Sequence, residues 1–411
     1  MTPETTPGAP APATPPELDR RLRVLHLDHT GVPGGAEFAL LRMLRARPRW
    51  APVVHLAPSP EGAGVYAGLP ARVPTRIAGV RQPAGASSGG RLAALGVGLR
   101  VVAQAVVVRA SRAFRTADVI DANTARSAAY GALAVRGTRR TFVVHLRDLV
   151  EPEALGRAGH ALMVRVVLPR ADGVVANSRA TLESAHAHLR TAALAEVIPS
   201  ASGLRVGSTP AAGSHEAGVR TVGMLARIDP WKGQLQLLEA FARAFPARDT
   251  RLQLAGSAPF GHEAFAAALV RRADELGVRD RLDLLGHVDD VDAVLAGWDV
   301  AVQASTRPEP LGQNVLQYLA AARAVIAADE GGPREWIVDG VNGVLVPPRE
   351  VDALAAALVR LDADPALRAR LAAGAAATPG LLDDEAVARA HHAFYARVLD
   401  SVASRGSRSS A

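Results

Sequence analysis

The chain has 411 residues, a length that fits two domains of ordinary size better than one. Its 49% hydrophobic and 21% charged residues exclude a disordered polymer, and the absence of cysteine excludes disulfides, thiolate catalysis and Cys-bound metal centres. The 47 basic and 40 acidic residues give a net charge of +7, which favours phosphates, acidic glycans or anionic lipids as ligands. Lys232 is the only lysine, so arginine carries almost all of the positive charge.

The first half of the chain alternates short apolar strands with helical segments. Residues 1–17 form a Pro-, Thr- and Ala-rich run without an apolar centre, which predicts a disordered arm and not a signal peptide, so we expect the protein in the cytoplasm. The predicted strands cover residues 23–27, 53–56, 119–121, 142–145 and 174–176. Such alternation is typical of a parallel α/β layer, and residues 18–203 are predicted to form a Rossmann-like domain.

The second half repeats this alternation after a Gly-, Ser- and Pro-rich linker at residues 204–218. Its predicted strands cover residues 221–225, 252–255, 282–285, 300–303, 324–327 and 344–346. Residues 219–382 are therefore predicted to form a second Rossmann-like domain. A helix over 383–403 is predicted to pack back toward the first domain, and residues 404–411 to form a disordered tail. Because ligands of parallel sheets bind beyond the carboxyl ends of the strands, a cleft between the domains is expected.

One segment of the second domain combines two cations with a helix start. Residues 223–233 leave a predicted strand and enter a helix, and they include Arg227 and the only lysine, Lys232. A guanidinium binds two oxygens of an anion, an ammonium neutralises another, and the helix N-terminus adds a positive field. These residues predict a diphosphate site.

A second segment, residues 305–323, also runs from a strand end through a glycine turn into a helix. Gly312 lets backbone N–H groups approach an anion closely, and Glu309 is placed to accept hydrogen bonds from hydroxyl groups. Gln317 lies about one helical turn beyond Gln313, where its amide is placed to hold a ribose. The segment predicts a second part of the same ligand site.

Several short motifs together carry a resemblance to a known family. They are residues 34–37 (GGAE), 144–148 (VHLRD), 176–178 (ANS), Arg227 with Lys232, residues 285–288 (LGHV), the Glu309 region and residues 331–332 (GG). Through them the chain resembles the GT-B-fold retaining glycosyltransferases of family 4, or glycosyl transferases group 1. The resemblance implies two Rossmann-like domains facing across a central cleft. It also implies transfer of a sugar from a nucleotide-diphosphate donor, with no metal or other cofactor.

The resemblance assigns roles to individual positions. The implied catalytic residues are Arg227 and Lys232 on the donor diphosphate, Glu309 facing the donor sugar, and His145 approaching that sugar from the first domain. The implied donor-binding residues are Gly34, Gly35, Val288, Leu311, Gly312, Gln313, Asn314 and Gln317. Among these, Val288 would flank the nucleobase, and the backbone of residues 311–314 would help to bind the diphosphate.

Three positions depart from the family pattern. One is the usual Gly-x-Pro after the second segment's helix, which is replaced by residues 322–324 (ARA) and is interpreted as a tolerable variation in packing. The family's second glutamate, seven residues beyond the first, is Gln317 here, which keeps hydrogen-bonding capacity but removes a negative charge. The usual Asn-Gly at the end of the first domain is replaced by residues 200–203 (SASG). We expect donor binding to survive the change at residue 317, whereas the change at residues 200–203 leaves the contacts on the hinge side unassigned.

Three functions stay open as hypotheses. The first is a transferase that uses a nucleotide sugar and a glycan, lipid-linked or small-molecule acceptor, as in the building of a cell-envelope polysaccharide. The second is a non-catalytic nucleotide-sugar-binding partner of a transferase, and the third is an epimerase or hydrolase of the same fold. Nucleic acid is excluded as a partner, because the arginines are dispersed among acids and aromatic residues make up 4% of the chain.

Membrane and metal signals have simpler explanations. The apolar stretch 92–108 is shorter than the ~20 residues of a membrane span and is interrupted by Arg100, so a packed helix is predicted. Residues 157–170 are typical of an ordinary surface helix, with peripheral contact to anionic lipid at the inner face of the cell membrane as the alternative. The Asp-x-Asp motifs at 290–292 and 362–364 precede predicted helices, so they are interpreted as helix caps and no metal site is predicted.

Overall fold

The computed structural model describes residues 21–82, 91–206, 218–247, 249–258 and 261–408. The predicted arm at 1–17 and most of the predicted linker lie outside these described ranges. Two parallel sheets are present, one in each half of the chain, so the two predicted Rossmann-like domains are confirmed.

The first sheet has the strand order β3-β2-β1-β4-β5-β6-β7. Its strands are β1 (Arg23–Asp28), β2 (Ala51–Leu56), β3 (Thr75–Ile77), β4 (Val119–Ala122), β5 (Thr141–Leu146), β6 (Gly173–Ala176) and β7 (Leu194–Val197). The order changes direction between β1 and β4, so the loops after these two strands diverge and leave a crevice at the carboxyl edge.

The second sheet has the strand order β10-β9-β8-β11-β12-β13. Its strands are β8 (Thr221–Leu225), β9 (Arg251–Ala255), β10 (Leu282–Gly286), β11 (Val300–Gln303), β12 (Ala324–Ala328) and β13 (Val344–Val346). Here the order changes direction between β8 and β11. The loops after these strands carry the two segments predicted to bind ligand, 223–233 and 305–323, so both segments lie at the position where such sheets bind ligands.

Helices cover both faces of each sheet, as right-handed crossovers between parallel strands require. In the first domain they are α1 (Gly35–Arg45), α2 (Arg91–Ala110), α3 (Arg112–Thr116), α4 (Ala125–Val135), α5 (Pro152–Leu162) and α6 (Arg179–His186). In the second they are α7 (Gln234–Ala244), α8 (Glu263–Glu275), α9 (Val291–Ala296), α10 (Gln313–Ala320), α11 (Pro333–Trp336), α12 (Val351–Ala363) and α13 (Pro365–Ala376), followed by α14 (Asp384–Arg408).

Burial separates the central strands from the edge strands. Strands β4, β5 and β6 are buried at every position, because helices cover them on both faces. The edge strands β3 and β7 are only partly buried. The sequence does not predict either of them, because each is short and mixes polar with apolar residues.

The last helix, α14, returns to the first domain. Val387, Phe394 and Val398 share a buried cluster with residues of β1 and α1. The helix continues to Arg408, so the predicted disorder from residue 404 onward is wrong for residues 404–408. The physical reason is Arg405, whose guanidinium binds the carboxylate of Asp172 and a backbone carbonyl of the first domain.

The two segments with membrane signals are packed helices. Residues 157–170 belong to α5 and to a wide turn that follows it, in which Met163, Val167 and Leu168 are buried in the core of the first domain. This burial accounts for the apolar half of the segment. None of the helices that the structure describes, α2 included, is long and apolar enough to span a bilayer.

The predicted helix caps are confirmed at both Asp-x-Asp motifs. The side chain of Asp290 accepts a hydrogen bond from the N–H of Ala293 at the start of α9 (3.0 Å). Asp364 accepts one from the N–H of Leu367 at the start of α13 (2.8 Å). These carboxylates therefore stabilise helix ends.

Candidate active site

The carboxyl edges of the two sheets meet through loops of both domains. The Thr181 hydroxyl in α6 donates to the carbonyl of Pro310 (3.3 Å), which lies between β11 and α10. A Cβ added at Gly35 would lie 3.4 Å from the amide oxygen of Gln313 in α10. The loops that carry the predicted site residues therefore border one shared cleft.

Lys232 and Glu309 form the centre of the second domain's side of this cleft. The Lys232 ammonium lies 2.6 Å from Oε1 of Glu309, and the two side chains are only 16% and 8% exposed. The Ser305 hydroxyl donates to the same carboxylate oxygen (2.6 Å), and the ammonium also lies 3.8 Å from the centre of the Trp231 ring. The structure thus joins the two predicted segments through a buried ion pair between residues 77 positions apart.

A glycine turn places Lys232 in this position. Gly233 has φ +82°, and a Cβ added there would lie 1.8 Å from the carbonyl oxygen of Ala304, just after β11. Only glycine fits such a close approach of two backbones with positive φ. The turn is capped by Asp229, whose side chain accepts from the N–H of Trp231 (3.4 Å), and α7 begins directly after it.

Arg227 stands at the mouth of the same turn. One of its guanidinium nitrogens lies 3.5 Å from Oδ2 of Asp229, and the side chain is 41% exposed, more than that of Lys232. Its carbonyl accepts a hydrogen bond from the amide of Gln234 (2.6 Å), which fixes the backbone at this point. Arg227 is therefore the more accessible of the two cations predicted to bind a diphosphate.

Glycines also hold the loop that carries Glu309. Gly312 has φ +72° and immediately precedes α10, and Gly331 has φ +66°. A Cβ added at Gly331 would lie 2.5 Å from the carbonyl oxygen of Glu309, and one at Gly332 would lie 2.6 Å from Cα of Leu311. The N–H of Gly332 donates to the carbonyl of Glu309 (2.8 Å). The glycine pair thus lets two loops pack backbone to backbone beneath the glutamate.

The polar side chains of α10 donate hydrogen bonds to backbone carbonyls of the protein. Asn314 donates to the carbonyl of Leu225 (3.1 Å), at the end of β8, and Leu311 is buried. Gln317 donates to the carbonyl of Ser202 (3.0 Å) and Gln313 to that of Ala201 (3.4 Å). These two amides bind the end of the first domain, and the ribose contact expected of Gln317 stays a prediction.

Val288 lies on the same side of the cleft. It is partly buried against the apolar cluster that contains Leu311 and Tyr318 of the α10 region. Val288 belongs to the loop that follows β10, and its apolar side chain thus packs this loop against the α10 region. Contact with a nucleobase stays a prediction.

The glycine loop of the first domain encloses a carboxyl group. A Cβ added at Gly34 would lie 2.3 Å from Oε2 of Glu37. Glu37 is buried, and this burial, together with the charge of Asp28, raises its pKa to about 8. Glu37 therefore carries its proton at neutral pH.

The prediction for His145 is wrong. Its imidazole is 1% exposed and lies within the first domain, where Nε2 is 2.9 Å from Oδ1 of Asp121 and the ring stacks on His391 of α14. Burial lowers the pKa of His145, so the ring is neutral at pH 7. The physical reason is its place inside strand β5, where both faces of the sheet are covered. His145 supports the packing of α14 and does not reach the cleft.

Arg147 and Asp148, two and three positions further along the chain, approach the cleft instead. Arg147, just beyond the end of β5, donates to the Ser200 hydroxyl (2.7 Å) and to the side-chain oxygen of Asn123 (2.9 Å). Asp148 is exposed, and the charges of Lys232 and Arg227 act on its carboxylate. Neither Arg147 nor Asp148 is predicted as a site residue from the sequence, although both follow directly after a predicted strand, where ligands of parallel sheets bind.

Comparison with known proteins identifies the second domain. The family model described as "Glycosyl transferases group 1" matches residues 210–378.

Residues 210–378 are thus similar to the glycosyl transferases of group 1.

Two further comparisons agree with this. The structure of HepE from Anabaena in complex with UDP is 27% identical and covers 92% of this chain and 100% of that one, with a TM-score of 0.75. The sucrose-phosphate synthase structure from Thermosynechococcus elongatus has the same fold, with a TM-score of 0.73 at 20% identity, and covers 93% of this chain and 100% of that one. The GT-B fold implied by the resemblance is confirmed.

A curated relative matches over a shorter stretch. The lipopolysaccharide core biosynthesis glycosyltransferase LpsE of Rhizobium meliloti is 36% identical over 104 residues, which are 25% of this chain and 30% of LpsE. The match thus spans under a third of that relative's length.

The first domain contains a cluster with the composition of a metal site. Asp28, His29 and Glu37 bring possible ligand atoms within 4.8 Å of one another. However, Asp28 already accepts hydrogen bonds from the Tyr66 hydroxyl (2.5 Å) and the Asn123 amide (2.7 Å). Because Glu37 also holds its proton at neutral pH, the donor set fits a hydrogen-bonded network better than a cation.

Proposed function

We propose that this chain transfers a sugar from a nucleoside-diphosphate donor to a hydroxyl group of an acceptor, with retention of configuration and without a metal ion. The observation that carries the proposal is the contact between Lys232 and Glu309 in the cleft, with Arg227 at its mouth. It places two cations for a diphosphate next to a carboxylate for sugar hydroxyls. HepE of Anabaena, of similar structure, is described in complex with UDP-glucose, so a UDP-hexose is the first donor to test.

The reaction requires charge stabilisation on the leaving group. The bond between C1 of the sugar and the β-phosphate oxygen breaks, and its electron pair stays on the diphosphate. Arg227 and Lys232 oppose the charge that develops there, in a site arranged before the reaction begins. The acceptor oxygen bonds to C1 on the same face, and its proton passes to the departing diphosphate oxygen. Contact between the domains excludes water, which would otherwise act as the acceptor.

Glu309 orients the donor sugar. Its Oε1 is shared by Lys232 and Ser305, so these two donors fix the position of the carboxylate. Its remaining acceptor capacity is available to hydroxyls of the sugar. Lys232 thereby links the two tasks, since the same ammonium that opposes the charge of the diphosphate also fixes the group that holds the sugar.

The acceptor class follows from the relatives as a proposal. LpsE is a glycosyltransferase of lipopolysaccharide core biosynthesis. Alpha-D-kanosaminyltransferase of Streptomyces kanamyceticus is 31% identical over 158 residues, which are 38% of this chain and 39% of that protein. We therefore propose a glycan, a lipid-linked glycan or a small molecule as the acceptor.

The test is nucleoside-diphosphate release from a panel of UDP-, GDP-, ADP- and TDP-sugars in the presence of a chelator. The wild type is compared with Lys232→Ala and Glu309→Ala. Arg271→Ala, which removes an exposed charge on α8, is the matched control. Release that falls about a hundred- to a thousandfold in the two site variants, and not in the control, supports the proposal.

The remaining outcomes distinguish the alternatives. Binding of a nucleotide sugar without release, with every acceptor tried, would favour a non-catalytic binding partner. Conversion of the donor without any acceptor would favour an epimerase or hydrolase. Failure of every nucleotide sugar to bind would contradict the interpretation of the cleft as a donor site.

A further inference from the structure

Asp148 stands on a loop that is fixed on both sides. The backbone carbonyl of Arg147 accepts a hydrogen bond from the Asn177 amide (3.2 Å). The N–H of Val150 donates to the Ser184 hydroxyl (2.9 Å), and Leu149 is buried. The backbone around Asp148 is thus held by β6 and α6, while its own side chain points to solvent. Such fixation is what a group that binds substrate requires.

The carboxylate of Asp148 is not used by the protein. No hydrogen bond or ion pair of Asp148 is found among the residues that the structure describes, whereas the neighbouring cations are engaged. Arg147 binds Ser200 and Asn123, and Lys232 binds Glu309. A carboxylate that is held in place and makes no contact within the protein has its hydrogen-bond acceptors available to a ligand.

Asp148 faces the donor site from the first domain. The charged groups of the second domain that act on it are Lys232, Arg227 and Glu309, the three residues of the proposed donor site. The same helix connects the Asp148 loop to the donor loop, since α6 binds Val150 through Ser184 (2.9 Å) and the carbonyl of Pro310, next to Glu309, through Thr181 (3.3 Å). A group bound at Asp148 would therefore lie beside the donor, opposite the diphosphate.

We propose that Asp148 binds the acceptor by accepting a hydrogen bond from a hydroxyl group of the acceptor other than the one that attacks. A carboxylate at this place favours a neutral or amino-bearing sugar or polyol and repels a phosphate or carboxylate on the part of the acceptor that enters the cleft. The inference rests on the proposed function, because it names the acceptor contact of the same reaction. Asp148 thereby orients the acceptor, and the proton of the attacking hydroxyl passes to the departing diphosphate oxygen.

The test compares transfer with donor hydrolysis in the full chain. UDP-glucose is supplied with neutral acceptors (methyl α-D-glucopyranoside, myo-inositol) or with anionic ones (glucuronate, glucose 6-phosphate). The variants are Asp148→Asn and Asp148→Ala, and Glu153→Gln removes an exposed charge nearby as the control. Release of UDP without acceptor reports on the donor site and on folding, and sugar transfer reports on the acceptor contact.

We expect transfer to neutral acceptors to fall about tenfold to a hundredfold in both Asp148 variants, as for loss of a hydrogen bond to a charged group. Donor hydrolysis should stay near the wild-type rate, and the ratio of anionic to neutral acceptors used should rise in Asp148→Asn. The proposal would be overturned if the Asp148 variants lost hydrolysis and transfer equally, or if their transfer were unchanged. It would also be overturned if the wild type used only the anionic acceptors, or none of the acceptors in the panel. A wild type that neither binds nor hydrolyses any nucleotide sugar would instead show that the proposed function itself is wrong.

Discussion

At the scale of single residues, Gln317 explains why a departure from the family pattern is tolerated. Its amide donates a hydrogen bond to the carbonyl of Ser202, at the end of the first domain. A glutamate in this position has no donor at neutral pH and would place a negative charge against a carbonyl oxygen. The amide of Gln317 therefore joins α10 to the backbone at the end of the first domain.

We therefore expect Gln317→Glu to destabilise the protein although it restores the usual family residue. The loss should be about 1–3 kcal/mol, because the carbonyl of Ser202 loses its donor and faces a charge. Gln317→Met removes the hydrogen bond without adding a charge and should cost less. Urea unfolding at neutral pH measures both variants. A Gln317→Glu variant as stable as the wild type would show that the contact with Ser202 is not important for stability.

The buried carboxyl of Glu37 makes stability depend on pH. Its pKa of about 8 lies above the ordinary value of 4.5, so between these pH values the folded state keeps a proton that the unfolded state has lost. The contribution of Glu37 is therefore complete below pH 4.5 and is lost as the pH rises through 8.

Glu37→Gln, which resembles the protonated acid, should weaken the pH dependence of the free energy of unfolding. Each unit by which folding raises the pKa of Glu37 contributes about 1.4 kcal/mol to this dependence, and the variant should lose that contribution. The measurement is the free energy of unfolding in urea at about pH 5 and about pH 8. The exposed Glu61→Gln variant should keep the wild-type difference between the two conditions. An unchanged difference in Glu37→Gln would contradict the raised pKa.

At the scale of elements, the turn between β8 and α7 depends on one glycine. Gly233→Ala should both strain the backbone at φ +82° and drive a Cβ into the carbonyl of Ala304. Gly277 is the matched control, since it has φ +68° and open space around its missing Cβ. The control isolates the cost of positive φ, about 1 kcal/mol.

We expect Gly277→Ala to lose about that amount, and Gly233→Ala to lose several times more together with nucleotide binding, because Lys232 directly precedes the turn. Thermal unfolding and calorimetric titration with UDP give the two readouts. Equal losses of stability in the two variants would show that the contact with Ala304 relaxes without consequence.

Elements with a strong local pattern could be predicted from the sequence, and those defined by tertiary contacts could not. The buried strands β4, β5 and β6 consist mainly of apolar residues, whereas the edge strands β3 and β7 are recognised only by their pairing. Helix α14 reaches Arg408 because Arg405 finds a partner in the first domain. Such a partner, distant in sequence, leaves no local signal.

The same limit applies to the site. Lys232 and Glu309 were identifiable because each follows a strand and adjoins a glycine turn, but their direct contact depends on how two loops pack. His145 and Arg147 are two residues apart, and the sequence pattern does not show where β5 ends and the cleft begins. The position of this boundary determines which side chain is buried in the core and which one lines the site.

At the scale of the whole molecule, a carboxylate of the second domain contacts the N-terminal end of helix α6 in the first domain. Glu335 of α11 accepts hydrogen bonds from the N–H groups of Arg179 (2.8 Å) and Ala180 (2.7 Å), at the start of α6. A negative charge is favourable at this end of a helix, so Glu335 stabilises the contact between the domains. A motion that separates α6 from α11 would break both hydrogen bonds.

Glu335→Ala should therefore shift the protein toward a more open arrangement. Because Glu335 is exposed, we expect about 1 kcal/mol, or about a fivefold change in the ratio of open to closed molecules. Small-angle X-ray scattering should show a larger radius of gyration in Glu335→Ala, and saturating UDP should reduce the difference, since a ligand that contacts both domains favours closure. Glu350→Gln, an exposed change at the start of α12, should scatter like the wild type. If the two variants scatter alike, the hydrogen bonds from α6 to Glu335 do not control how the cleft opens, and other contacts between the domains, such as those of Gln313, Gln317 and Thr181, hold it closed instead.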